Sequence, residues 1–168
     1  MPGRGGTGIQ TDYDGITRSL TLPAMGAHEI SLTGLVTVYA SAGIATADYL
    51  TLQDAFDAIN AGTQMGTLTI TINTNVMETA TAALNASRGT ASYTSIYIYP
   101  VTTGLTISGK LAAPLINLNG ADNVTIDGRV SGGACTVCTA DLTITNTSNS
   151  STARISTIWF INIHSIML

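Results

Sequence analysis

Four side chains have the right types for chemistry on polysaccharides if the fold gathers them: Asp122, Asp127, Asp141 and Arg129. Two carboxylates at a fixed separation serve as general acid and base in glycoside hydrolysis. Carboxylates holding Ca²⁺ beside an arginine serve elimination chemistry instead. The local contexts point the other way. Asp127-Gly128 reads as a turn, in which the aspartate bonds nearby backbone and the glycine takes a positive φ. Asp122-Asn123 reads as a turn before a strand, and Asp141 as the start of one. The expectation is therefore a non-catalytic chain, with these four as the candidates if it is an enzyme.

Other chemistry-bearing residues are few. Cys135-Thr-Val-Cys138 lies in a Gly-rich insertion without the further ligands that zinc requires and without the βαβ setting of a redox motif, so a local disulfide is expected. His28 and His164 stand far apart, and the sequence around Ser108 is Ile-Ser-Gly rather than a nucleophile elbow. No metal site is expected. Tyr97 and Tyr99, two residues apart on a strand, share one face, and exposed aromatic rings stack on sugars. They are the candidate glycan contacts, against the alternative that they pack beneath the N-terminal tail or a long loop.

Composition limits the elements that must position these residues. Of 168 residues 45% are hydrophobic and only 10% charged, and 28 threonines stand against one lysine, Lys110. Exposed positions must therefore meet water with hydroxyls and amides, which suits β-sheet surfaces. A net charge of −4 with five scattered arginines offers no basic stripe for nucleic acid. No apolar run reaches the length of a membrane span, and the opening residues lack the apolar segment of a signal peptide.

Residues 1–33 are Gly-rich and irregular and read as a tail or linker. A strand follows at Leu35 to Tyr39, with Val36 and Val38 on one face. Thr51 to Ala61 predicts an amphipathic helix: Leu52, Ala55, Phe56 and Ile59 form one stripe, Thr51 is the N-cap, Asp54 sits in the first turn and Gly62 ends it. The period then changes to two. Short alternating runs recur at Leu68–Ile72, Ile96–Ile98, Leu105–Ile107, Ile116–Leu118, Val124–Ile126, Leu142–Ile144 and Ile158–Phe160. Two or three such runs suffice for a coil of about 20 residues, the pattern of a solenoid. A β-sandwich or barrel of short strands is the alternative.

Tyr49-Leu-Thr-Leu-Gln-Asp-Ala-Phe-Asp-Ala-Ile-Asn-Ala-Gly62 resembles the N-terminal cap of pectin-lyase-like proteins, and Leu115 to Gly128, with Asn-Val-Thr-Ile-Asp-Gly, resembles one of their rungs. The resemblance implies an all-β, right-handed parallel β-helix with a short capping α-helix near residues 51–61. The segment Asp12-Tyr-Asp-Gly-Ile-Thr-Arg18 with Pro23 to Glu29 is similar to the close of a module in the modular surface proteins of Bacteroidetes-type bacteria. That implies a closing tail at 1–33 and a capped, truncated β-helix at 34–168, in a secreted protein of the bacterial cell surface. The polygalacturonase motifs Asn-Thr-Asp, Asp-Asp and His-Gly are absent.

The expected function is a structural or adhesive module that contacts glycans. A divergent polysaccharide hydrolase or lyase is the alternative, and only that reading calls for a cofactor, Ca²⁺. A self-assembling fragment is the third reading. The apolar end carries Ile158, Phe160, Ile161, Ile163, Ile166 and Leu168, expected to mediate self-association because an uncapped coil exposes apolar residues and strand edges.

Overall fold

The protein is described here by a computed structural model covering residues 34–133, 141–151 and 155–161, all within the unit Gly34–Leu168. The hairpin strands β1 (Val36–Gly43) and β2 (Thr46–Tyr49) precede helix α1 (Leu52–Asn60). Three triplets of strands follow. The first is β3 (Gln64–Ile72), β4 (Val76–Glu78) and β5 (Ala82–Asn85), and the second β6 (Tyr93–Pro100), β7 (Leu105–Gly109) and β8 (Ile116–Asn119). The third is β9 (Val124–Ile126), β10 (Leu142–Asn146) and β11 (Ile158–Ile161), with a single 3-10 turn at Val130–Gly132 between β9 and β10.

Each short apolar-alternating run of the sequence is a strand, and the amphipathic window is the helix. The pairing corrects the expected fold class. One sheet is five-stranded and mixed, in the order β2-β1-β3-β6-β9, with β1 antiparallel to both β2 and β3. The other two are three-stranded and parallel, β10-β7-β4 and β11-β8-β5. Among the described residues there is no closed solenoid, so the right-handed parallel β-helix does not stand, and the alternative of packed sheets fits these pairings better. The reason is physical. Short runs with period two define strands and their inward faces, but the same runs serve any fold of packed sheets. The antiparallel β1-β2 hairpin gives no signal of its partner in either strand.

Register puts like with like. In the mixed sheet Val38, Ile70, Ile98 and Ile126 form one inward row, and Ala40, Leu68, Ile96 and Val124 the next. In the parallel sheets Val76, Ile107 and Ile144 align, as do Leu84, Leu118 and Phe160. Ile70, Ile98, Ile107 and Leu84 are buried almost completely, whereas their counterparts on the outer strands β9, β10 and β11 are half-buried or, at Phe160, 40% exposed. Ile158 and Ile161 are half-buried on β11. Ile163, Ile166 and Leu168 lie outside the described residues.

Helix α1 seals the other side of the core. Leu52, Ala55, Phe56 and Ile59 are fully buried, and each large apolar side chain so buried stabilises the fold by roughly 1.5–3 kcal/mol. The helix begins where expected: the Thr51 hydroxyl accepts from the Asp54 amide at 3.0 Å. A second acceptor comes from far along the chain. Glu78, only 2% exposed, takes the Leu52 amide on Oε1 at 2.7 Å and the Gln53 amide on Oε2 at 3.2 Å. The first turn, whose amides lack intrahelical acceptors, is thereby tied to β4. Burial, partly opposed by these two bonds, raises the Glu78 carboxyl above its ordinary value.

Replacing Glu78 by alanine orphans one buried and one part-buried amide and should cost about 1–3 kcal/mol of stability. The raised value means that the folded state holds the proton more tightly than the unfolded chain. The stability linked to that proton is present in full below the unfolded value near 4.5 and is lost as pH rises through the folded one. Denaturant titrations across this range should show Glu78→Gln lacking that decline, and parallel curves for the two proteins would contradict the assignment.

Candidate functional site

Asp127 follows the last residue of β9, and its amide donates to the Ile98 carbonyl of β6 at 2.8 Å. Its side chain, 9% exposed, gathers donors from both directions. Oδ1 accepts from the Arg129 amide at 3.0 Å and from Arg129 Nε at 2.8 Å. Oδ2 accepts from Arg129 Nη2 at 2.5 Å and from the Tyr97 hydroxyl at 2.5 Å. The Arg129 amide gives Asp127 the local backbone bond expected of it, but Gly128 does not take the expected positive φ, and the left-handed glycine of this loop is Gly132 instead. The side-on guanidinium contact and the phenol come in addition to that bond.

These contacts set the charges. The Arg129 guanidinium, with help from the Tyr97 hydroxyl, holds the Asp127 carboxyl far below the usual carboxylate range against the opposing effect of burial. The aspartate in turn raises Arg129 and, chiefly by accepting its hydrogen bond, Tyr97. Asp127 is a permanently ionised acceptor with both oxygens engaged. The bonds favour its ionised form, and its lone pairs face donors rather than a reacting centre.

The loop beyond completes the clasp. Ser131 and Gly132 adopt left-handed φ values of 55° and 59°, which folds the 3-10 turn back over Tyr97. A Cβ on Gly132 would overlap the Tyr97 hydroxyl and ring. The Gly128 carbonyl accepts the Asp141 amide at 2.7 Å and the Leu142 amide at 3.1 Å, so the same turn also anchors the start of β10.

Of the sequence candidates, Asp127, Arg129 and Tyr97 come together. Asp122 sits in the turn before β9, where its charge, secondary to burial, helps push the Tyr93 hydroxyl up to about 12. Its buried Oδ1 has no hydrogen-bond partner among the described residues. Asp141 is placed by the backbone bonds that start β10. No group of three His, Cys, Asp or Glu that could hold a metal ion occurs among the described residues. Cys135, Cys138, His28 and His164 lie outside them. No described helix is long and apolar enough to cross a membrane.

Tyr99 lies on the same face as Tyr97, ring centroids 5.4 Å apart and tilted by 57°. Register extends that face across the mixed sheet: Thr46, Tyr39, Thr69, Tyr97 and Thr125 form one outward row. Tyr39, 47% exposed, belongs to this row and was not among the sequence candidates. Its signal is the alternation from Val36 and Val38, which turns Tyr39 outward. Glu78 was also missed, because a three-residue strand has no periodicity to betray a buried carboxylate.

Tyr97→Phe removes one bond to a charged acceptor on a partly exposed strand and should cost about 1 kcal/mol. Asp127, whose value is depressed, stabilises the fold above its ordinary value near 3.8, and this contribution is lost as pH falls toward the lower folded value. Acid unfolding followed by circular dichroism should therefore begin at higher pH in the wild type than expected from Asp127→Asn relative to its own neutral stability. Identical acid limbs, scaled to neutral stability, would contradict the clasp.

Comparison of the chain with protein-family models, with curated proteins and with solved structures finds no match in any of the three.

Proposed function

We propose that the chain is a structural or adhesive module of a secreted bacterial cell-surface protein, and that its outward sheet face contacts glycans. The observation that carries this reading is the closed Asp127–Arg129–Tyr97 clasp. Both carboxylate oxygens and the phenol hydroxyl are bonded within the protein: the carboxylate to the guanidinium and phenol, and the phenol to the carboxylate. A glycosidase needs one carboxyl that gives a proton and a second that accepts one or attacks. Asp127 meets neither requirement.

The surface supports the same reading. Charge is sparse, and most outward strand positions of the mixed sheet hold Thr, Ser or Tyr, which offer hydroxyls and ring faces suited to sugars. The location on a cell surface rests on the resemblance of residues 12–29 to the close of a module in modular bacterial surface proteins.

Incubation with neutral and acidic polysaccharides, with and without added Ca²⁺ and across pH 4 to 9, tests this against the hydrolase or lyase alternative. The expected result is no release of reducing or unsaturated ends above buffer. Release that disappears in Asp127→Asn would overturn the proposal.

A further inference from the structure

Asn119-Gly120 is the single Asn-Gly pair in the chain. Such a pair can modify itself. The glycine amide nitrogen attacks the asparagine Cγ, the Cγ–Nδ2 bond breaks, and ammonia leaves with the amide proton. Water then opens the succinimide at either carbonyl and gives aspartate or isoaspartate. Glycine permits this best because no Cβ hinders the approach of its nitrogen. Asn119 is the exposed last residue of β8, and Gly120 takes a left-handed φ of 73°. Yet the fold holds every group that the reaction must move. The Gly120 amide donates to the Ile161 carbonyl of β11 at 2.7 Å and to the Leu118 carbonyl at 3.1 Å. Across the same peptide unit the Asn119 carbonyl accepts the Ala86 amide at 3.0 Å. The leaving amide is held too: Asn119 Nδ2 donates to Asn85 Oδ1 at 3.0 Å, and the Asn85 amide is anchored on Asn60 Oδ1 at 3.0 Å. The weakest of these anchors is β11, which lies at the edge of its sheet among the described residues. Ile158, Trp159 and Ile161 are only half-buried there and Phe160 is 40% exposed, and elements with so little buried surface open most readily.

We infer that Asn119-Gly120 is a spontaneous deamidation site locked by β11, so that opening of that strand, and not exposure of the side chain, sets the rate of modification. With β11 in place the Gly120 nitrogen is committed to the Ile161 carbonyl and cannot turn toward Cγ. With β11 open it is freed, and only the hold of Asn85 on the leaving amide and of Ala86 on the Asn119 carbonyl remains. The modification is one-way. Aspartate at this position sets a negative oxygen against Asn85 Oδ1, where an amide had donated. Isoaspartate routes the main chain through the side chain, which inserts a methylene ahead of Gly120 and displaces the amide that receives Ile161. Either product disfavours the return of β11 and leaves Leu118, its partner in register with Phe160, less covered.

Timed incubation in mildly alkaline buffer, followed by peptide mapping and mass spectrometry for aspartate and isoaspartate at this position, tests the inference against the same protein unfolded in urea. The folded protein is expected to react at least about tenfold more slowly. Phe160→Asp, on β11, should bring the folded rate toward the unfolded one, whereas Met77→Ser, exposed on a different sheet, should leave it unchanged. If Phe160→Asp does not fold, hydrogen exchange of the wild type in urea below its unfolding transition decides the matter. Exchange of the Gly120 amide and modification of Asn119 should then rise together, ahead of global unfolding. Equal rates in folded and unfolded protein, an unaltered rate in folded Phe160→Asp, or modification that rises only with global unfolding would overturn the inference.

Discussion

The in-register parallel pairing of each strand from β3 to β8 with the one three places further along the chain is what the rest of the structure depends on. Because side chains alternate faces, a slip of one residue in any pair would turn a whole inward row outward. Leu68, Ile96 and Val124 hold their row, as do Ile70, Ile98 and Ile126 beside it. The same pairing that buries isoleucine stacks threonine and tyrosine on the other side. The outward face is the obligatory complement of the core, and its regular spacing needs no separate explanation. Helix α1 and Glu78 close the core on one side, while the rows thin into half-buried residues at β9, β10 and β11.

The clasp at Asp127 links this scaffold to function. Its turn lets the chain leave β9, cross the face of β6 and begin β10, and its ion pair and phenol bond hold that crossing in place. The interactions that make it a good anchor make it a poor catalyst: a strongly depressed carboxyl cannot act as an acid, and a carboxylate already accepting from Arg129 and Tyr97 is a weak base. The same contacts hold the Tyr97 ring still and pair the Arg129 charge.

Much of the local structure was legible in the sequence. The helix could be read from the stripe Leu52, Ala55, Phe56 and Ile59 and from the hydroxyl of Thr51, and β1, β3 and β6 to β11 from their alternation, because these signals are local, whereas β2, β4 and β5 carried no run to read. What depends on contacts distant in sequence was not. The mixed sheet arises from the antiparallel docking of β1 on β3, and nothing in either strand specifies that partner, so the expected β-helix gave way to separate sheets. Asp127 and Arg129 lie two apart and were singled out together, but Tyr97 joins them only through the β6–β9 ladder. Glu78 reaches the helix amides across 25 residues or more, and no pattern in Val76-Met77-Glu78 announces it.

The central claim, that Asp127 is an ionised anchor and not a working acid, is tested most directly by following its side-chain carboxyl carbon by NMR as pH is lowered. The account predicts that the Asp127 signal stays in its ionised position well below the ordinary value near 3.8, and that it begins to move only as the protein unfolds. A reversible titration of that carbon in the folded protein at or above 3.8 would show a carboxyl free of its clasp and able to exchange a proton with a substrate, and would contradict the account.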